Sequence, residues 1–486
     1  MKILLCDVPV SMEKKFGSFK RAGSTFPPYN LLLLGTILRR HGHTVQVTTD
    51  DYHLDDVAEV IRSFEPDLIG LTYMTLGEPY VAAFCDMTER ECPKVPLVVG
   101  GYHSSLYPEQ TLRCFPRVLA VFKGEAEKSL PQFLELCGFG SPEASELKDI
   151  KGIVYRDGEI VVDNGPAERI EDLDDLPFPE YDLIPGYFSN FRAAANRHYF
   201  KSPQAFFLTG RGCPYDCHFC GRMMLGRTVR QNSIEYNIEH IRFVRKYYGI
   251  QSIVYADEFL TQNRKNMYRF SEELQRNNLH KVHWACSGRI NNMDVEFARV
   301  LRQGGCRQIG YGLESGSQKI LDLLNKKASI EKMSAAVRAA HEGGLEVFGN
   351  FMIGCPGETR ETIEMTRRFI LDNPIGFIVI CFFTPMPGTF YWDQGTYKEY
   401  GSLVSEDFSI FNTFAGIPFV PHGLTADDLQ QARNRIYRDF YLRPKRLMRE
   451  ARHLGNPSSW AFAARLAAGL ATDLPVNGLK RLFPTF

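Results

Sequence analysis

The chain has 486 residues, 44% hydrophobic and 23% charged, enough to bury two or three substantial cores. Lys and Arg total 57, as do Asp and Glu, so no global basic field argues for nucleic acid. No uninterrupted apolar run reaches the roughly 18 residues of a spanning helix, and 12 cysteines in such a chain read as thiols or metal ligands in a reducing cytoplasm.

The amino-terminal "MKILLCDVPV" reads as a buried strand rather than a signal peptide. Over residues 1–140 short apolar runs ("KILLC", "TVQVTT", "DLIGLTY", "PLVVGG", "VLAVFKGE") alternate with helical patterns; the first helix is closed by Gly42. Continuous apolar strands separated by helices predict a doubly wound parallel sheet of about five strands, an α/β Rossmann-like fold. Its ligand belongs beyond the carboxyl ends of the strands. Thr72, Gly100, Gly101, Gly124 and Glu125 stand there, small or polar residues that let a bulky ligand approach the backbone.

Residues 141–202 read as a connector, with a hairpin "GIVYRDGEIVVD" turning at Asp157–Gly158 and a proline-broken strap, "IEDLDDLPFPEYDLIPG". A second alternation fills 203–395: "QAFFLTG", "SIVYADEFL", "VHWACSGR", "RQIGYGLES", "EVFGNFMIG" and "FIVICFFTP". Six strand–helix units are too few for a closed barrel of eight and predict a partial (β/α)6 barrel whose strand ends face one cavity. The rest, 396–486, reads as mostly helical, with a capping box at Thr425 and an apolar stretch at 458–474. That stretch suits either a helix packed over the barrel or peripheral contact with a membrane.

The loop after the first strand of the second unit is "GRGCPYDCHFCGR", with Cys213, Cys217 and Cys220 at C-x3-C-x2-C spacing. Structural zinc takes four ligands, so a closed zinc site would need His218 or a distant cysteine. Three thiolates alone suit a [4Fe–4S] cluster with one iron open. Cys286, Cys306, Cys355 and Cys381 are spaced too widely to announce a second cluster and read as small buried hydrophobes.

With Phe219 just before the last cysteine, the triplet resembles the radical S-adenosylmethionine (SAM) superfamily. So do "YADEFLTQN", "GLESGSQKILDLLNKKAS", "NFMIGCPGET" and "TPMPGT". The first unit ("PPYNLLLLGTILRRHGHTV", "VPLVVGGYHSSLYPEQTL", "VFKGEAEKSLPQF") and the strap resemble the cobalamin-binding domain preceding this barrel in one large subgroup. The resemblance spans almost the whole chain.

It implies a cluster whose open iron chelates SAM and, on one-electron reduction, cleaves it to a 5′-deoxyadenosyl radical. It further implies cobalamin-mediated methyl transfer to an unactivated carbon of a natural-product, lipid or tetrapyrrole-like small molecule. The electron requirement implies a flavodoxin or ferredoxin-type reductant. Ring closure, oxidation or rearrangement without methyl transfer is the alternative; a non-catalytic sensor is a second. Asp257 and Glu258 are expected to meet the SAM ammonium, Arg289 its carboxylate, and Glu314 and Ser315 its ribose. Gly354 and Gly357, flanking Cys355 and Pro356, are expected to admit its adenine, with Phe219 beside the ring. Cys355 is expected at the cavity mouth, as a donor to a substrate radical. The loop "CDVPVSMEKKFGSF" lacks the histidine with which many cobalamin proteins ligate cobalt, and His103 reads as a surface loop residue rather than its replacement.

Overall fold

A computed structural model describes residues 1–10, 15, 26–137, 142–190, 200–221, 226–257 and 260–443. The first unit holds β1 (Lys2–Asp7), α1 (Tyr29–Arg40), β2 (Thr44–Thr48), α2 (Leu54–Phe64), β3 (Leu68–Thr72), α3 (Glu78–Glu91), β4 (Leu97–Gly100), α4 (Tyr102–Leu106), α5 (Pro108–Cys114), β5 (Val118–Phe122) and α6 (Ser129–Cys137). Strands β1 to β5 are parallel in the order β2-β1-β3-β4-β5. The order reverses between β1 and β3, the place where such sheets open a crevice at their carboxyl edge.

The hairpin β6 (Ile153–Asp157) and β7 (Ile160–Asp163) corrects one expectation. It is no free connector: β6 pairs antiparallel with β5 and extends the first sheet to seven strands. Ile153, Val154 and Tyr155 are buried, so docking removes apolar area that an isolated hairpin would leave in water.

The strap clamps the two units together. Arg39 of α1 meets Glu180 and Asp182 at 2.6 and 2.8 Å, and the Glu180 amide donates to Thr36 Oγ1 at 2.9 Å. One apolar cluster runs from Leu5 and Phe122 through Tyr181 and Leu183 to Phe207 and Tyr255.

The second unit holds β8 (Gln204–Phe207), β9 (Gly210–Arg211), β10 (Arg230–Gln231), α7 (Ile234–Tyr248), β11 (Ser252–Tyr255), α8 (Arg264–Arg276), β12 (His283–Gly288), α9 (Val295–Gln303), β13 (Cys306–Glu314), α10 (Gln318–Leu323), α11 (Ile330–Glu342), β14 (Glu346–Ile353), α12 (Arg360–Asp372) and β15 (Phe377–Phe382). Six strands, β8 and β11 to β15, lie parallel in chain order, as the sequence predicts. β9 and β10 form a separate two-stranded antiparallel ribbon. Beyond β15 come the antiparallel β16 (Gly401–Leu403) and β17 (Phe419–Pro421), then α13 (Ala426–Tyr441), capped by Thr425 and Asp428. Within 396–443 a short antiparallel pair thus precedes the expected helix, and 458–474 lies outside the described residues.

Both outer strands of the half-barrel are sealed by tyrosines. At β8, Tyr181 Oη donates to Phe206 O at 2.7 Å and accepts from Phe206 N at 2.9 Å. At β15, Ile380 N donates to Tyr437 Oη at 2.9 Å, and Tyr441 Oη donates to Ile378 O at 3.2 Å.

Candidate functional site

The cysteine loop leaves β9 at Arg211 and returns at Arg230, the two residues facing each other across the ribbon. Cys213 is buried, its amide donating to Gly226 O at 3.1 Å; Cys217 and Cys220 are half-buried and joined by a 3.1 Å backbone bond from Cys220 N to Cys217 O. Among the described residues no three His, Cys, Asp or Glu side chains stand in the geometry of a single metal ion. His218 stacks on Phe390 at 4.0 Å with Nδ1 3.2 Å from Leu323 O. Thiolates of a cubane cluster bind different irons and so stand wider apart than the ligands of one ion; this donor set fits the cluster better than closed zinc.

Above this loop the structure gathers Phe219, Arg289 and Glu314 around Lys326, which the sequence reading missed. Lys326 Nζ lies 2.6 Å from Glu314 Oε1 and 5.7 Å from the centre of the Phe219 ring. Arg289 lies over the Tyr215 ring at 3.3 Å and donates to Lys326 O at 3.1 Å. Glu314 has φ 62°, a strained angle for a non-glycine residue, of the kind that clusters at binding sites. The signal for Lys326 was its place in the loop "LLNKK" at the end of α10, where its neighbours Asn325 and Lys327 take positive φ.

Other expected contacts are engaged elsewhere. The Asp257 carboxylate is buried and accepts from Thr209 N at 2.6 Å, Thr209 Oγ1 at 2.8 Å and Gly210 N at 2.5 Å. It holds the entry to the cysteine loop rather than a ligand's ammonium. Ser315 is fully buried, with Oγ 3.1 Å from Thr366 Oγ1 and accepting from Ser317 N at 3.1 Å, which removes it from any ribose. Gly354 and Gly357 have φ of 77° and 72°, and a Cβ on either would meet Leu429 or Leu323 at 3.0 or 2.7 Å. Their smallness serves core packing. Cys355 is wholly buried among Ile320, Phe383 and Tyr391, where burial pushes its thiol up; it is not at a cavity mouth. Cys286 and Cys306 are buried core residues. Glu258 lies outside the described residues.

Burial pushes the Asp257 carboxyl up to about 7 against the pull of its Thr209 and Gly210 donors. The folded state therefore holds this proton longer than the unfolded chain. The stability it brings is full below the ordinary carboxylate range and is lost as pH rises to about 7. Asp257→Asn keeps an oxygen for the two amides and turns its NH2 to the Thr209 hydroxyl. Thermal melts should show the variant gaining on the wild type across that window; parallel pH profiles would show that Asp257 ionises as an ordinary carboxyl does.

At the carboxyl edge of the first sheet lies a cavity of about 180 Å3. Thr72, Gly100, Gly101, Gly124 and Glu125 all line it, with Leu5, Leu34, Val98, Phe122 and Leu130 as apolar wall. Gly101 is the position where glycine is required: φ is 108°, and a Cβ would stand 2.8 Å from Tyr73 O. Leu208 and Arg211 of the second unit complete the lining, so the cavity sits on the seam two residues from Cys213.

That seam is charged and buried. Glu125 is gripped by both Nη atoms of Arg230, by Arg211 Nη1 at 3.0 Å and by Ile170 N at 3.0 Å. Arg211 Nη2 also meets Glu127 at 2.5 Å. Burial pushes the Glu125 carboxyl up, but the Arg230 and Arg211 contacts hold it below the usual range. Nearby, Tyr102 Oη donates to Pro387 O at 2.9 Å and lies against Gly221, beside Cys220. His103 is buried, not on a surface loop: it sits between Tyr73, Tyr107 and Phe408 at 4.6–5.3 Å, with Nδ1 3.1 Å from Thr75 Oγ1.

The radical SAM superfamily profile matches residues 207–370, and the B12 binding domain profile residues 19–134. An uncharacterized methyltransferase of Pyrococcus horikoshii is 30% identical over 454 residues, 93% of this chain and 94% of that protein. The chain belongs to the B12-binding radical SAM enzymes. The anaerobic magnesium-protoporphyrin IX monomethyl ester cyclase of Cereibacter sphaeroides is 26% identical over 88% of this chain and 69% of its own length. Among solved structures, the radical SAM methyltransferase TsrM of Kitasatospora setae, with cobalamin and a [4Fe–4S] cluster bound, shares the fold. Its TM-score is 0.63 at 19% identity, over 87% of this chain and 83% of that one. The cofactors of this B12-binding radical SAM enzyme are therefore a [4Fe–4S] cluster, SAM and cobalamin. No helix among the described residues is long and apolar enough to cross a membrane.

Proposed function

We propose that this enzyme methylates an unactivated carbon of a natural-product, lipid or tetrapyrrole-like substrate, with the cluster on Cys213, Cys217 and Cys220 and cobalamin over the carboxyl edge of the first sheet, part of it entering the cavity there. The observation that carries this reading is the shared wall. Arg211 lines the corrinoid cavity and anchors the cysteine loop, so the two cofactors face one space between the units. When bound, the reduced cluster and SAM supply a hydrogen-abstracting radical, and cobalamin carries a methyl group. The chain's part is to hold and to exclude water. Phe219 and Tyr215 offer rings, Arg289 offers N–H donors to a carboxylate, and the Glu314–Lys326 pair offers an acceptor to hydroxyls. The electron comes from a flavodoxin or ferredoxin-type partner.

Anaerobic turnover should yield S-adenosylhomocysteine and 5′-deoxyadenosine in equal amounts. A second reading, ring closure without methylation, has the cyclase likeness in its favour and predicts 5′-deoxyadenosine alone. Gly100→Leu fills cavity space where an added Cβ meets Phe122 O only at an ordinary 3.6 Å. It should abolish cobalamin retention on gel filtration while leaving iron content intact; undiminished corrinoid would place the cofactor elsewhere.

A further inference from the structure

Glu125 and Glu127 stand side by side on the cavity wall but differ in satisfaction. Both Glu125 oxygens are taken by arginine and backbone donors. Glu127 spends Oε1 on Arg211, while Oε2, in a side chain only 9% exposed, has no hydrogen-bond partner. A buried carboxylate oxygen without a donor loses its hydration and recovers nothing, so one whose side chain lines a cavity calls for a ligand that donates. The rest of the wall is largely aliphatic and aromatic, which supplies contact area but little orientation.

We propose that Glu127 is the acceptor that orients the corrinoid, taking a hydrogen bond at Oε2 from an N–H or O–H of the cofactor. This rests on the cobalamin reading above. Cobalamin carries such donors in two places, the amides around its ring and the ribose of its nucleotide tail. The same carboxylate grips Arg211 at the foot of the cysteine loop, so the group that orients the corrinoid also braces the loop.

The test is titration of the anaerobically reconstituted protein with hydroxocobalamin, read from the visible spectrum, with iron content measured in parallel. Glu127→Gln keeps an oxygen for Arg211 and places a donor where Oε2 was. It should weaken binding about tenfold or more, the worth of a buried hydrogen bond to a charged group, at unchanged iron content. Glu127→Asp, which keeps the charge but withdraws the oxygen, should also weaken binding and serves if the glutamine variant folds poorly. Cobinamide, which lacks the nucleotide tail, separates the two donors. If both ligands weaken, the bond comes from a ring amide; if only cobalamin does, it comes from the tail. Wild-type affinity in both variants would overturn the proposal. Failure of the wild type itself to bind hydroxocobalamin would instead overturn the cobalamin reading, before any variant is compared.

Discussion

Alanine at Cys213, Cys217 or Cys220 is expected to remove the cluster, taking iron from about four per chain to a small remainder and SAM cleavage to background. The effect should be chemical rather than structural. Cys217 and Cys220 are half-buried, and their loop is closed at its base by the β9–β10 ribbon, which none of the three joins. Melting of the cluster-free protein should therefore change little on substitution at 217 or 220. Anaerobic reconstitution followed by iron and sulfide analysis and electron paramagnetic resonance of the reduced protein reads this directly. One zinc per chain, lost when His218 is replaced, would end the radical account. The stacking of that imidazole on Phe390 argues against such a role.

Glu125→Ala should be the most destabilising single change at the seam. It strands the Arg230 guanidinium in a site where that side chain is 6% exposed, and it takes one of two partners from Arg211. Removing one member of a buried ion pair costs roughly 3–5 kcal/mol, because the remaining charge is left desolvated and unpaired. Pairing Glu125→Leu with Arg230→Met should recover much of that loss, since an apolar pair of similar volume does not incur it. Thermal melts of the two single variants and the double variant test this. A double variant worse than either single would show that the seam depends on the charges themselves. Because the arginines hold Glu125 below the usual carboxylate range, its contribution is full above that range and is lost as pH falls from there through the lowered value of the folded state.

Much of this architecture was legible in the chain. Apolar runs at strand length, helical periods between them and a glycine at Gly101 are local signals, and each was read where it stands. The cysteine spacing was likewise self-contained. What was not legible was competition for polar atoms. Asp257 and Ser315 do end strands, but amides of Thr209, Gly210 and Ser317 come within hydrogen-bond reach only in the folded chain. The glycines at 354 and 357 show the same limit, for the neighbours that need their space, Leu429 and Leu323, are distant or offset in sequence. Glu125 and Glu127 are alike in sequence; only the arrival of Arg230 and Arg211 tells them apart. The hairpin at Asp157–Gly158 was visible as a turn, but its docking on β5 depends on an unpaired strand edge that no local pattern reports.

The tyrosine hydroxyls at Phe206, Ile378 and Ile380 have a consequence for what the two rims of the half-barrel offer a neighbour. A barrel left unclosed offers two rows of backbone groups on which a stray chain can zip, and such rims commonly drive self-association. With phenols occupying part of those rows, each rim offers fewer free amides and carbonyls on which a second chain could pair.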